Sequence, residues 1–283
     1  AHVIRWSVLV THVMHAAREA PAASHQPMVR LADVRKTFDG AREVLAPINL
    51  QVNADDFVAL IGPSGCGKTT ILRLVANLTQ PSDGRVEVSI PVRASGASPV
   101  SYVFQDATLL PWLTVKDNVS LPLRIAGVAA RECSHTVQST LKLVGLEHTA
   151  DQYPRQLSGG MKMRVSIARA LTTSPSLLLL DEPFGALDEM TRDRLNEELL
   201  RVREQSRWAA MFVTHSVSEA VFLASRVVVL APNPGRVHAD IVVPLPYPRT
   251  AAIRSQPEFS AVVLAVTRAL HSVSDGIVLE TKA

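Results

Sequence analysis

The sequence has few of the features that stabilise small secreted folds. Among its 283 residues only Cys66 and Cys133 are cysteines, and two thiols in a chain of this length do not make a disulfide framework. Aromatic residues make up 5% of the chain, and 29 basic against 26 acidic residues leave a formal net charge of +3. So small a surplus, spread along the chain, gives little support to nucleic-acid binding. We therefore expect a reducing, cytosolic setting and no nucleic-acid partner.

Long hydrophobic runs are also missing. The mean hydropathy is +0.16, yet apolar runs such as residues 177–180 and 227–231 are far shorter than the roughly 18–20 residues of a membrane-spanning helix. The sequence therefore predicts no helix that crosses a bilayer. The first 27 residues resemble a signal peptide only faintly. They contain four of the nine histidines, but no cysteine or carboxylate accompanies these at metal-ligand spacing.

The hydrophobic pattern from residue 28 onward predicts strands that alternate with helices. Residues 57–61 and 177–180 are continuous apolar runs, typical of strands buried on both faces, whereas residues 189–205 have the length and charge pattern of a helix. This alternation predicts an α/β fold with a mainly parallel sheet covered on both faces. A stretch with helical spacing is inserted in the middle of the chain, where three residues are expected to break the helices: Pro122, Gly127 and Gly145.

We expect one domain between two appendages. Residues 1–27 are predicted to be a mobile N-terminal extension. The α/β domain is assigned to residues 28–245, with its helical subdomain at about 106–165. Residues 246–283 form a short C-terminal tail with an amphipathic helix predicted at 259–271.

Residues 62–69, Gly-Pro-Ser-Gly-Cys-Gly-Lys-Thr, match the phosphate-loop pattern G-x-x-x-x-G-K-[ST] between a predicted strand and a predicted helix. Glycines let several backbone N–H groups point at one anion, and the helix N-terminus adds its positive end. Lys68 is predicted to reach the β- and γ-phosphates, and Thr69 to offer its hydroxyl to Mg²⁺. Cys66, beside the helix start, is expected to favour the reactive thiolate. The other residues assigned to this nucleotide site are Gly62, Pro63, Ser64, Gly65, Gly67 and Thr70.

A second pair of polar residues follows a run of four leucines. Asp181 and Glu182 come directly after residues 177–180, where the end of a parallel strand would present them to a ligand. We predict that Asp181 holds Mg²⁺ through water and that Glu182 polarises the attacking water. Together with the phosphate loop, the pair predicts an enzyme that hydrolyses a nucleoside triphosphate.

The segment Leu157-Ser158-Gly159-Gly160-Met161 lies between these motifs, and Ser158 is predicted to cap a helix that would form a second anion-binding surface. This segment resembles the signature of the ABC ATPases, with Met161 where many members carry glutamine. Four further matches accompany it, and the resemblance covers roughly residues 28–245. The four matching positions are Gln105, which corresponds to the Q-loop glutamine; residues 186–188, which correspond to the D-loop and include Asp188; His215, which corresponds to the switch histidine; and Phe38, which corresponds to the residue that stacks on adenine.

The resemblance implies a P-loop NTPase (RecA-like) core with an N-terminal antiparallel β subdomain and an inserted α-helical subdomain, binding ATP and Mg²⁺. It also implies a head-to-tail dimer with a second copy or a paralogous ATPase. Lys68, Gln105, Glu182 and His215 are then catalytic, and Thr69, Gln105 and Asp181 hold the metal. Ser158 and Gly160 reach the γ-phosphate of the other subunit's nucleotide, with Gly159 and Asp188 also assigned to nucleotide binding.

Several local stretches resemble the nitrate/sulfonate/taurine group of bacterial importer ATPases, at residues 104–112, 115–119, 213–220 and 234–236. This implies a peripheral ATPase subunit at the cytoplasmic face of the inner membrane, working with a separate transmembrane permease and, indirectly, with an external solute-binding protein. Apolar residues after the Q-loop, among them Leu109 and Trp112, either meet the permease or pack inside the helical subdomain.

Three other classes of protein share parts of this pattern. A non-transport ABC-type ATPase would carry long coiled-coil insertions, zinc modules or a second cassette, none of which the sequence contains. An exporter ATPase subunit usually has different surroundings at the Q-loop or fused membrane helices. A small-molecule P-loop kinase would have no use for the signature segment.

Overall fold

The computed structural model describes residues 27–38, 42–90 and 98–280, so almost all of the predicted N-terminal extension lies outside the described residues. The strands in this part of the chain are β1 (Val29–Phe38), β2 (Arg42–Val52), β3 (Phe57–Ile61), β4 (Asp83–Val88), β5 (Val100–Val103), β6 (Leu177–Asp181), β7 (Ala209–Val213), β8 (Arg226–Ala231) and β9 (Arg236–Val242). The α-helices are α1 (Lys68–Val75), α2 (Val115–Ile125), α3 (Ala130–Leu143), α4 (Gly159–Leu171), α5 (Glu189–Ser206), α6 (Val217–Leu223) and α7 (Pro257–Glu280).

The main sheet has the strand order β5-β6-β7-β3-β8-β9. The first five strands are parallel, and only β9 runs antiparallel to its neighbour β8. Every residue of β3, β6 and β7 is buried, as expected for parallel strands covered on both faces. The prediction of a mainly parallel, doubly covered sheet is confirmed.

The pairing register brings the carboxyl ends of three strands to one edge of this sheet. Asp181 at the end of β6 pairs with Val213 at the end of β7, and Val213 is in turn aligned with Leu60 near the end of β3. The loops that follow these strands therefore begin next to one another, which is where open parallel sheets bind ligands.

A second sheet, of order β2-β1-β4, is antiparallel throughout. Apolar residues of β1 and β2 alternate toward a core that is shared with β3 and α1. The implied N-terminal antiparallel β subdomain is therefore confirmed.

Helices α2, α3 and α4 enclose a hydrophobic core of their own, which includes Val119, Val137 and Val165. This agrees with the expected helical subdomain. The prediction that Pro122 breaks a helix is wrong, because α2 runs through it to Ile125. Burial of the apolar face of α2 compensates for the one backbone donor that proline lacks. Gly127 and Gly145 do follow helix ends, both with positive φ.

The segment after residue 245 packs on the α/β core. Helix α7 is longer than predicted and contributes Phe259, Val262 and Val266 to the same core as Phe222 of α6. The short helix α6 itself is absent from the sequence prediction. None of the described helices combines the length and the apolar character that crossing a membrane requires.

Candidate nucleotide-binding and hydrolysis site

The phosphate loop connects β3 to α1 and depends on glycine backbone conformations. Gly65 and Gly67 have φ values of 79° and 93°, in the region that side chains other than glycine rarely adopt. A Cβ on Gly67 would also clash with the side chain of Leu45. Glycine at position 67 is therefore required both by its backbone angle and by close packing against β2.

Lys68 is the first residue of α1 and is almost completely buried. Its Nζ donates hydrogen bonds to the backbone carbonyls of Gly62, at 2.8 Å, and Pro63, at 3.0 Å. These hydrogen bonds hold the ammonium group inside the phosphate loop, at the positive end of the helix, where a bound phosphate would lie close to it.

The environment of the Cys66 thiol differs from the one that the sequence predicted. Its side chain is fully buried, and this burial raises the pKa of the thiol, although the nearby charge of Lys68 acts in the opposite direction. The expectation of a favoured thiolate is therefore wrong. The position next to a helix start gave no indication of burial, which has the largest effect on the pKa of this thiol.

Asp181 is the last residue of β6, and both of its carboxylate oxygens accept hydrogen bonds. The hydroxyl of Thr69 donates to Oδ1 at 2.8 Å, and the hydroxyl of Tyr102 on β5 donates to Oδ2 at 2.9 Å. Burial, followed by the charge of Asp181, raises the pKa of Tyr102, so its phenol stays protonated. The oxygen donors of Thr69 and Asp181 are of the kind that Mg²⁺ prefers, so these residues fit the metal. Gln105 follows the end of β5 at the same sheet edge and is exposed.

Glu182 and His215 follow the neighbouring strands β6 and β7 and lie side by side. The Nδ1 atom of His215 is 3.5 Å from Oε2 of Glu182. Glu182 has a φ of 46° and its backbone N–H donates to the carbonyl of Val213 at 3.0 Å. A left-handed backbone at a residue other than glycine is a sign of local strain, which often accompanies a functional position. Here it directs a partly exposed carboxylate toward the imidazole.

The signature segment begins α4. Ser158 caps this helix, since its hydroxyl accepts a hydrogen bond from the backbone N–H of Met161 at 3.3 Å. Gly160 is buried, and a Cβ there would lie 3.2 Å from the side chain of Thr191 on α5. Within the described part of the chain, none of the hydrogen bonds or ion pairs joins Ser158 to the phosphate loop. Ser158 at the start of α4 and the phosphate loop before α1 therefore belong to different elements of the chain.

The two remaining predicted residues lie at the ends of other elements. Asp188 caps α5 by accepting from the backbone N–H of Thr191 at 2.9 Å, and hydrogen bonding lowers the pKa of this carboxyl. Phe38 ends β1 and is 41% exposed, with the ammonium group of Lys36 4.8 Å from its ring centre. An exposed aromatic ring in this place is available for stacking on a base.

Glu219 on α6 is not among the site residues predicted from the sequence. This carboxyl group is only 4% exposed and accepts a short hydrogen bond from Thr214, the residue before His215. Burial raises its pKa, while the Thr214 hydroxyl, Arg192, Asn196 and His215 act in the opposite direction. An acidic residue four positions after His215 was visible in the sequence, but only the tertiary structure shows that it is buried.

The substitution Glu219→Gln is expected to stabilise the protein more at about pH 7.5 than at about pH 4.5. Burial raises the pKa of Glu219 in the native state above its ordinary value of 4.5, so the native state binds this proton more tightly than the unfolded chain does. The stability of the wild-type protein therefore falls as the pH rises from 4.5 toward the folded-state pKa. Glutamine does not ionise and lacks this loss. Thermal unfolding of both proteins at several pH values measures the difference, with Glu204→Gln, at an exposed position on α5, as the control for removing one negative charge. A stability difference that does not change with pH would contradict the prediction.

A parallel sheet, a glycine-rich phosphate loop with a buried lysine, and an Asp-Glu pair at the same sheet edge define a P-loop nucleoside triphosphatase. The sequence profile described as ABC transporter matches residues 45–185. The taurine import ATP-binding protein TauB of Sinorhizobium fredii is 50% identical over 204 residues, covering 72% of this chain and 76% of TauB. The aliphatic sulfonates import ATP-binding protein SsuB of Bacillus cereus is 39% identical over 239 residues, covering 83% of this chain and 94% of SsuB.

Among solved structures, the ATP-binding cassette MJ0796 superposes with a TM-score of 0.67 at 32% sequence identity, covering 76% of this chain and 99% of the cassette. That structure is a dimer in a post-hydrolysis state, bound to ADP and Pi. This chain belongs to the ABC transporter family as an ATP-binding subunit, and it is an ATP-hydrolysing enzyme. The family and the fold expected from the sequence are thereby confirmed.

Proposed function

We propose that this chain is the ATP-hydrolysing subunit of an ABC importer for a small anion or a sulfonate-like solute, acting with a separate permease. The observation that carries the proposal is the convergence of Lys68, Asp181, Glu182 and His215 at one sheet edge, with Ser158 on a separate helix. The names of TauB and SsuB, both import ATP-binding proteins, support the importer assignment and the solute class.

In the proposed reaction, the backbone N–H groups of the phosphate loop and the Lys68 ammonium bind the β- and γ-phosphates. Glu182 accepts a proton from water while the water oxygen forms a bond to the γ-phosphorus. The bond between the γ-phosphorus and the ADP oxygen breaks, and phosphate and ADP leave. His215, 3.5 Å from Glu182, hydrogen-bonds the transferring phosphate. Mg²⁺, when bound, neutralises phosphate charge, and Thr69, Asp181 and Gln105 are the residues that would hold it.

The site is proposed to be completed by a second copy of the chain or a close paralogue. Ser158 and Gly159 are exposed at the N-terminus of α4, where backbone N–H groups and the helix dipole favour an anion. In a head-to-tail dimer, Ser158 and Gly160 of one subunit then contact the γ-phosphate bound by the other. The dimeric state of MJ0796 supports the pairing of two subunits. ATP would hold the two subunits together, and hydrolysis would release them.

The permease is proposed to contact the surface that follows the Q-loop. The sequence left two alternatives for the apolar residues of this surface, packing inside the helical subdomain or contact with the permease. Leu109 packs against the core of the helical subdomain, whereas Trp112 is 69% exposed and is available for the permease. A large exposed aromatic side chain is a typical interface residue. Such contacts would place the chain at the cytoplasmic face of the inner membrane, with the solute-binding protein acting only through the permease.

The exchange Ser158→Asp tests the composite site. Aspartate caps helices as well as serine does, so α4 should keep its stability, but the new carboxylate would repel the γ-phosphate of the other subunit. In a Glu182→Gln background we expect ATP binding to the monomer to be unchanged and the ATP-dependent dimer to be lost. In the otherwise wild-type chain, hydrolysis should fall by at least about 10-fold. Nucleotide-binding titrations, light scattering and steady-state rates measure these three results.

Ser139→Asp is the matched control, since Ser139 is exposed on α3 of the same subdomain and the exchange adds the same charge. It should leave dimerisation and hydrolysis unchanged. An ATP-dependent dimer that survives Ser158→Asp would contradict the composite site. The importer assignment is tested separately, by reconstitution with the candidate permease. Hydrolysis that stays independent of solute-loaded binding protein with every candidate permease would contradict that assignment.

A further inference from the structure

Two arginines of the C-terminal segment contact α6, the short helix that follows His215. Arg249 is only 3% exposed. Its Nη1 donates to the carbonyls of Val221, Phe222 and Ala224, each at 2.9 Å. Val221 and Phe222 belong to the last turn of α6 and Ala224 directly follows it, so these carbonyls have no partner within the helix. A guanidinium group at this end also complements the helix dipole, so the C-terminal segment caps α6.

Arg254 contacts the other end of α6 and, at the same time, α5. Its guanidinium forms an ion pair with Asp193 on α5 at 2.8 Å and donates to the hydroxyl of Ser218 on α6 at 2.9 Å. The same group lies 4.2 Å from the ring centre of the fully buried Phe222. One side chain of the C-terminal segment therefore joins the N-terminal part of α5 to the first turn of α6.

Each of these helices begins directly after a loop of the proposed active site. Helix α5 starts at the D-loop residue Asp188, and Arg192 on α5 donates to the carbonyl of Leu187 in the same loop at 2.9 Å. Helix α6 starts two residues after His215.

The residues on either side of His215 are hydrogen-bonded to the start of α6. The hydroxyl of Thr214 contacts Glu219 and accepts from the backbone N–H of Ser216 at 3.0 Å. The hydroxyl of Ser216 in turn accepts from the N–H of Glu219 at 3.3 Å. A shift of the first turn of α6 would therefore also move the backbone around His215.

We propose that Arg254 is a positioning residue for ATP hydrolysis: by joining α5 to α6 it sets the placement of His215 relative to Glu182. The physical reason is the length of α6, because a helix of seven residues is not stable by itself and takes its position from tertiary contacts. Among these contacts, that of Arg254 lies in the turn nearest to His215. The inference rests on the role proposed above for His215.

A double-mutant cycle between Arg254 and His215 tests the inference. In the wild-type background, Arg254→Ala should lower kcat by about 3- to 10-fold and change the KM for ATP by less than about twofold. In a His215→Ala background the same exchange should change kcat by less than about twofold, because the residue that it positions is gone. Single-turnover hydrolysis of labelled ATP measures the low rates, and thermal unfolding of each variant reports its folded fraction.

Asp193→Asn gives the second, milder variant, since Asp193 is 47% exposed and its exchange removes only the charge partner of Arg254. It should lower kcat in the same direction by a smaller factor. Arg194→Ala is the matched control: Arg194 is the next residue of α5, mostly exposed, and pairs with Glu198 on the same helix. Its exchange should leave kcat unchanged.

The outcomes separate the two proposals. If His215→Ala hydrolyses ATP at the wild-type rate, the role proposed for His215 is wrong. If His215→Ala is impaired but Arg254→Ala and Asp193→Asn are not, the positioning role alone is wrong. An equal loss of kcat from Arg254→Ala in both backgrounds, accompanied by a lower unfolding temperature, would also overturn it, because that pattern indicates a general structural effect.

Discussion

Glu182→Gln is expected to lower kcat for ATP hydrolysis by about 100-fold or more, the usual contribution of a general base. Glutamine keeps the size of the side chain and a hydrogen-bonding oxygen, but it cannot accept the proton of the attacking water. The phosphate loop and Lys68 are unchanged, so ATP should bind with nearly wild-type affinity. Because bound ATP is no longer consumed, the variant should accumulate as an ATP-bound dimer.

Steady-state hydrolysis, nucleotide titration and light scattering with and without ATP measure these three properties. Glu204→Gln, at the exposed position used above, is the control for loss of one carboxylate and should hydrolyse ATP normally. A Glu182→Gln variant with the wild-type rate would show that another group accepts the proton.

Lys68→Ala is expected to lower kcat/KM for ATP by about 100- to 1,000-fold, as removal of a preorganised group that stabilises developing charge usually does. The effect should appear in both ATP affinity and kcat, because the ammonium contacts the phosphates before and during transfer. Titration with ATP and with ADP tests which phosphate is involved: contact with the γ-phosphate predicts a larger loss for ATP than for ADP.

Lys142→Ala is the control for Lys68→Ala, since Lys142 is an exposed lysine on α3. It should leave both affinities unchanged. An equal loss of ATP and ADP affinity would instead limit the role of Lys68 to the β-phosphate. Together, Glu182→Gln and Lys68→Ala separate the chemical step from nucleotide binding.

The secondary-structure features that sequence reasoning located correctly belong to local motifs. Strand β3 has the bounds of its apolar run, and β6 extends one residue beyond the run of four leucines. The helix cap at Ser158 is also present. Such features depend on neighbouring residues: a continuous apolar run, a glycine-rich turn, or a hydroxyl three residues before an N–H group.

Features that depend on long-range contacts were less accessible. The α6 helix is too short for a clear periodic signal, and its position comes from contacts with residues of the C-terminal segment. Tyr102 was not predicted as a site residue, because its bond to Asp181 spans 79 positions of the chain. The expected reactivity of Cys66 failed for the same reason, since its burial depends on packing among strands that are distant in sequence.

The sequence by itself determined the class of enzyme, because phosphate binding and water activation require particular residue types at short, fixed spacing. Lys68, Thr69, Asp181 and Glu182 could therefore be predicted as site residues by reading along the chain. The tertiary structure alone decided which other groups lie around them: Tyr102 against Asp181, Glu219 against Thr214, and Arg254 between α5 and α6. Their effect depends on burial and distance, which folding creates between residues that are far apart in the sequence.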